Sequence, residues 1–215
     1  MTRTPFRAFE QSDYLLPESG KGKGPIKAII FDCFGVLTGD RWHEFTSQLP
    51  KGEIVDRARE LNRQYCAGKL STEEFLQAIE KLTGAKASEI TKLLNNELGK
   101  NYLLLDYIKS LSANYKIGIL SNVASGWIRD VFLTEEEQTI FSDILESFTV
   151  GVIKPDPRIF DLACKRLGVV PGEVIFVDDI ETYCLAAKKL GIKTVLYQNF
   201  EQCKKEIEQL LKNAS

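Results

Sequence analysis

The sequence predicts an α/β fold: a doubly wound parallel sheet of Rossmann-like type, with a block of helices inserted after its first strand. Three observations predict it. Short strand-like runs at 28–31, 117–120, 174–177 and 194–197 alternate with helical stretches, and the first three are apolar enough to mark strands buried on both faces. The stretch 41–99 contains no such run, only amphipathic helical spacing. Finally, three of the runs end on polar groups, at Asp32, at Ser121-Asn122 and at Asp178-Asp179, and ligands bind at the carboxyl edge of such a sheet.

In chain order, residues 1–25 carry Pro5, Pro17 and the run Ser19-Gly20-Lys21-Gly22-Lys23-Gly24-Pro25, which favours neither helix nor strand and reads as a mobile tail. A catalytic core is expected over 26–40 and 100–215, split by a helical cap at 41–99. Within the cap, Ser71-Thr72-Glu73-Glu74 has capping-box spacing, so a helix starts there and runs toward Leu82, entered through Gly68-Lys69. Leu104, Tyr107, Ile108 and Leu111 mark a helix before the second strand. Ile159, Leu162, Ala163 and Leu167 mark another, and Leu185, Ala186 and Leu190 a third. Gly168 and Gly191 stand where left-handed caps belong. There is no internal repeat.

Composition narrows the functional classes. The 215 residues, 44% of them hydrophobic, suffice for an ordinary core. With 28 Lys and Arg against 30 Asp and Glu, the net charge of -2 gives no reason to expect nucleic acid or a membrane as partner. The five cysteines are scattered without metal-type pairing and read as reduced thiols. No run approaches a membrane span and no secretory apolar core leads the chain, so the expected compartment is the cytoplasm and the expected assembly a monomer or homodimer.

The strand ends carry the chemistry. Asp32, followed by Gly35, should emerge into a tight loop at the sheet edge; alone it reads more readily as an N-cap or turn aspartate. Ser121-Asn122 offers a hydroxyl and backbone amides to phosphoryl oxygens, ahead of a helix expected near Ser125; alone it is an ordinary capping serine. Lys154 precedes Pro155, which disfavours helix at the lysine, while Asp156-Pro157 reads as an N-cap followed by a first-turn proline. Asp178-Asp179 closes a buried strand, and adjacent carboxylates there imply a cation or a raised pKa. With a phosphate dianion added, each like-charge contact at about 4 Å costs about 4 kcal/mol at an effective dielectric of about 20, which favours a divalent ion. Oxygen ligands without a His or Cys cluster point to Mg²⁺ over zinc.

These segments, Phe31-Asp32-Cys33-Phe34-Gly35-Val36-Leu37, Leu120-Ser121-Asn122, Lys154-Pro155-Asp156-Pro157-Arg158-Ile159-Phe160 and Phe176-Val177-Asp178-Asp179, resemble the haloacid dehalogenase (HAD) superfamily of hydrolases over roughly residues 26 to 198. Each segment is weakly specific; the ordered set is strong. The resemblance implies Asp32 as nucleophile, Ser121, Asn122 and Lys154 as phosphoryl binders, and Asp32, Asp178, Asp179 and the Phe34 backbone carbonyl as the metal site. It further implies a phosphatase acting on a small phosphorylated metabolite through an aspartyl-phosphate.

The chain departs from that pattern in two places. Phosphatases of the superfamily usually carry an acid two residues after the nucleophile, and here that residue is Phe34. General acid catalysis is worth about 10² to 10⁴ in rate, so good leaving groups are expected. Tyr183 stands where relatives often have Asp or Asn supporting the metal. Phe34 also admits a 2-haloacid dehalogenase-like hydrolase, against which the acidic pair argues, and the missing acid admits a weakened phospho-ligand or protein binding module. Substrate identity is expected in the cap, with Arg41, His43 and Lys69 as candidate contacts; Arg63, on a cap helix, could bind a carboxylate or a halide, but reads more readily as an exposed helical arginine. Cys33, Cys164, Cys184, Trp127 and Phe132 are expected in the core.

Overall fold

The computed structural model describes residues 24–95, 99–124 and 126–214, so the tail expected over 1–25 lies outside the described residues except for Gly24 and Pro25. Parallel strands β1 (Ala28–Phe31), β2 (Lys116–Ser121), β3 (Asp143–Glu146), β4 (Val174–Asp178) and β5 (Lys193–Leu196) form one sheet in the order β3-β2-β1-β4-β5. The helices are α1 (Arg41–Ser47), α2 (Glu53–Cys66), α3 (Thr72–Thr83), α4 (Ala87–Asn95), α5 (Tyr102–Leu111), α6 (Glu135–Gln138), α7 (Pro157–Leu167), α8 (Glu181–Lys189) and α9 (Phe200–Lys212). Strand β3 and helices α6 and α9 come in addition to the elements expected from sequence.

Alternate residues face opposite sides of the sheet, and because both sides are covered β1, β2 and β4 are apolar along most of their length. Ile29, Phe31, Ile117, Ile119, Ile175 and Val177 pack in one cluster with Leu104 and Ile108 of α5 and Cys203 and Ile207 of α9. Their neighbours Ala28, Ile30, Leu120, Val174 and Phe176 pack on the other face with Ile159, Phe160 and Leu167 of α7 and Ala187 of α8. Cys33, Cys164, Cys184 and Phe132 are buried as expected. Both faces being covered, the polar edge formed by the strands' carboxyl ends is left for chemistry.

Helices α1–α4 pack around a separate small core, Ala58, Phe75, Ile79 and Ile90, ringed by Trp42, Tyr65, Leu76 and Leu94. Phe75 and Ile79 are one turn apart on α3, and the Tyr65 ring stacks on Phe75 at 4.3 Å. The α3 capping box is present: Ser71 Oγ accepts from the Glu74 amide at 3.2 Å and Glu74 accepts from the Ser71 amide at 2.8 Å. Entry to and exit from this helical block are laced together. The Asn101 amide donates to the Leu37 carbonyl at 2.8 Å, Asn101 Nδ2 donates to Val36 O at 3.0 Å, and Thr38 Oγ1 donates to Gly99 O at 3.2 Å. No helix among the described residues is long and apolar enough to cross a membrane.

Candidate active site

The strand order reverses between β1 and β4, so the loops after these two strands part and leave a crevice between them. Asp32 directly follows β1, Asp178 ends β4, and Asp179 comes next. One carboxylate oxygen from each of the three lies within 4.8 Å of the others. Between them Lys154 Nζ contacts Asp32 Oδ1 at 2.8 Å and Asp178 Oδ2 at 2.6 Å. Gly35, at φ +83°, makes room for the cluster, because a Cβ there would collide with the Asp179 carboxylate.

Electrostatics mark the cluster as short of positive charge. Burial drives the Asp178 carboxyl up to about 7 against the pull of Lys154, with Asp32 pushing the same way as burial. Burial and then Asp32 raise Asp179 to about 6. Burial opposes the charge on Lys154, but Asp178 and Asp32 outweigh it and hold the ammonium above its ordinary range. One cation facing three oxygen-only acids, in a cradle cleared by a glycine, fits a hard divalent ion.

Asn122 fixes the lysine. Its Oδ1 accepts from the Lys154 amide at 2.8 Å and its Nδ2 donates to the Lys154 carbonyl at 3.0 Å, while Nδ2 also lies 3.3 Å from the Tyr183 hydroxyl. The Asn122 side chain is thus committed to positioning Lys154, which leaves backbone as its means of meeting a phosphate. Tyr183 adds an aromatic wall, with Lys154 Nζ 5.1 Å from its ring centroid. Downstream, Asp156 caps α7 as expected, accepting from the Arg158 amide at 2.9 Å, with Pro157 in the first turn. Ser121 Oγ, at the end of β2, is buried with no hydrogen-bond partner among the described residues. An unmet buried hydroxyl costs about 1–3 kcal/mol, which a ligand acceptor would recover.

The cleft above these groups has a volume of about 460 Å³ and reaches up among α1–α4. Arg41 and His43 line it, as do Arg63 and Asp40; Lys69 does not, lying instead in an outer recess with Glu60, Gln64 and Pro155. The expectation that Lys69 faces the cleft is corrected: the turn after α2 carries it outside. Trp127 is corrected from pure core to shared duty, since it lines the cleft and stacks between Phe34 at 5.2 Å and Phe132 at 5.3 Å. Phe34 therefore fills the missing acid's position with a ring held by its neighbour. Arg59, Asn62 and Asp40 line the cleft without having been singled out from sequence. For Asp40 the signal was N-cap chemistry, because its Oδ1 accepts from the His43 amide at 2.9 Å. For Arg59 it was the i, i+4 spacing to Arg63.

The helix expected near Ser125, which itself lies outside the described residues, is a π-helical turn at Ile128–Phe132. Its Ile128 amide faces Glu146 Oε1 at 3.2 Å rather than the phosphate side of the cleft. Glu146 is buried, and burial raises its carboxyl to about 7 despite the Ile128 amide and Arg129. A raised folded-state value stabilises at pH below the ordinary carboxyl range, and that contribution is lost as pH climbs through about 7. Glu146→Gln should therefore gain on the parent protein by up to about 3 kcal/mol between pH 4 and about 8. Denaturant unfolding at both pH values checks this, and a pH-independent difference would refute it.

The family model for a haloacid dehalogenase-like hydrolase matches residues 26–191. Mouse acyl-CoA dehydrogenase family member 10 is 31% identical over 88% of this chain, which corresponds to 20% of that protein, so the chain spans about a fifth of that relative. D-ribitol-5-phosphate phosphatase from Bacteroides thetaiotaomicron is 29% identical over 86% of this chain and 98% of its own length. A HAD family enzyme from the same bacterium, solved as a magnesium complex, superposes with a TM-score of 0.65 at 25% identity, covering 80% of this chain and 93% of the other.

Proposed function

The chain belongs to the haloacid dehalogenase-like hydrolases, and from that premise we propose that it is a magnesium-dependent phosphatase of a small phosphorylated metabolite, working through an aspartyl-phosphate at Asp32. The observation that carries this is the convergence of Asp32, Lys154, Asp178 and Asp179 at the sheet reversal, beside the unpartnered Ser121 hydroxyl. The relatives add support, one being named a phosphatase and another having been solved with magnesium.

Each residue follows from its place. A carboxylate oxygen of Asp32 attacks phosphorus as the bond from phosphorus to the leaving oxygen breaks, and that oxygen departs with the electron pair. Lys154 and Ser121 meet the phosphoryl oxygens, and Asn122 holds Lys154 at the required place. Water then attacks phosphorus and frees Asp32, so the ester and one water become alcohol and phosphate. Asp32, Asp178 and Asp179, with the Phe34 carbonyl, would hold Mg²⁺, which supplies positive charge for the phosphoryl oxygens. The helical block serves as the cap, closing the cleft over substrate.

With Phe34 in the acid's place, the leaving oxygen takes its proton from solvent, so esters of acidic alcohols are favoured. Phe34→Asp should raise kcat/KM on alkyl phosphates relative to p-nitrophenyl phosphate by about tenfold or more, although it breaks the stack on Trp127. An unchanged ratio in a folded variant would rule out position 34 as the acid's site. Turnover of p-nitrophenyl phosphate with Mg²⁺, measured against EDTA and against an Asp32→Asn control, tests the reading as a whole. The aromatic Phe34 also favours a second reading, carbon–halogen hydrolysis, which release of halide from 2-chloropropionate by metal-free protein would reveal.

A further inference from the structure

The upper wall of the cleft carries more positive charge than phosphoryl transfer at its floor requires. Arg41 on α1 and Arg59 and Arg63 on α2 all line it, whereas the acidic lining residues are Asp32, already engaged by Lys154, and Asp40, whose carboxylate caps α1. Arg59 and Arg63 are exposed, Arg63 by 58%, and protein groups meet their charges only weakly. Arg59 has no ion-pair or hydrogen-bond partner among the described residues, and Arg63 approaches Glu60 only to 3.8 Å. Arg41 bonds Glu44 through one terminal nitrogen at 2.7 Å while its Nε is buried without a partner.

Stability alone does not select this arrangement. Arg59 and Arg63 are one turn apart on α2, and like charges at that spacing weaken a helix. Among the described residues, the buried side-chain polar atoms lacking partners are Arg41 Nε, Tyr107 Oη, Ser121 Oγ and Trp127 Nε1; all but Tyr107 belong to residues lining the cleft. Ser121 serves the floor. Arg41 and Trp127 belong to the walls, together with the apolar surfaces of Trp42, Leu76 and Leu94.

We propose that Arg59, with Arg41 and Arg63, forms a second anion subsite, so that the substrate is a phosphomonoester whose leaving group bears a carboxylate or second phosphate on a compact, partly apolar body. The proposal rests on the phosphatase reading and specifies its substrate class. A guanidinium fork suits either anion, and the cleft volume suits a ligand of metabolite size.

The test separates binding from turnover. Titration calorimetry of the Mg²⁺-loaded protein with non-hydrolysable benzylphosphonate and 4-carboxybenzylphosphonate should show the carboxylated compound binding about tenfold tighter or better. Arg59→Gln should collapse that ratio toward one, and Arg59→Lys should restore part of it. Phenyl phosphate and 4-carboxyphenyl phosphate, compared by kcat/KM, should show the same preference. Equal or weaker binding of the carboxylated phosphonate overturns the subsite, as does a preference that survives in folded Arg59→Gln protein. A binding preference without turnover of either ester upholds the subsite and defeats the phosphatase reading alone.

Discussion

Asp32→Asn should lower turnover of any phosphomonoester by about 10⁴-fold or more, because an amide cannot supply the attacking oxygen that the carboxylate supplies. The substitution keeps shape and leaves an acceptor for Lys154, whose second partner, Asp178, stays at 2.6 Å. It also removes one of the carboxylates crowded within 4.8 Å, so repulsion falls and the fold should hold. Affinity for inorganic phosphate with Mg²⁺ should therefore survive while kcat collapses. Steady-state kinetics and phosphate titration on the same preparation read both. Substantial residual turnover would remove Asp32 from the nucleophile's role.

Lys154→Met should have the largest effect on stability. Lys154 is among the largest fully buried side chains, and its ammonium is the partner of both Asp32 and Asp178. Removing one member of a buried ion pair costs about 3–5 kcal/mol, since the remaining charge has neither water nor partner. The sign of the pH effect follows from the carboxyls. Burial already lifts Asp178 to about 7, and loss of the lysine lifts it further, so the Asp178 carboxyl of the variant is readily neutralised in mild acid and must ionise at alkaline pH. The deficit should therefore be small near pH 5, full near about pH 8, and partly recovered by Mg²⁺. Denaturant unfolding at these pH values, with and without Mg²⁺, reads the pattern. An equal deficit at both pH values would show that packing, not charge, is what Lys154 supplies.

Why some features were legible in the sequence and others were not has physical reasons. The apolar runs of β1, β2 and β4 announce themselves because both faces of the sheet are buried there, and Asp32, Ser121 and Asp178 are found by reading where those runs stop; the edge strand β5, with only Val195 buried, shows instead through its β-branched Thr194-Val195. Strand β3, Asp143-Ile144-Leu145-Glu146, is as short as β1 and β5 but has only two apolar residues between charged ends, so no apolar run marks it. Helix α9 carries Cys203, Ile207, Leu210 and Leu211 at helical spacing beyond the last expected strand, a periodic signal visible in the sequence itself. Cleft residues from the cap are harder still. Arg59 and Lys69 look alike as exposed cations, and only the turn after α2 decides that one lines the cleft and the other the outer recess. Asn122 was read through its backbone, while its side chain proves to grip Lys154 across 32 positions of sequence.

The most direct test of the central proposal is acid-quenched peptide mass spectrometry of the protein mixed with Mg²⁺ and an acyl phosphate such as acetyl phosphate. A phosphoryl group is expected on the peptide containing Asp32, absent from the Asp32→Asn variant and from samples in which EDTA replaces Mg²⁺ before acetyl phosphate is added. Turnover with no adduct at Asp32, or an adduct at another residue, would contradict it.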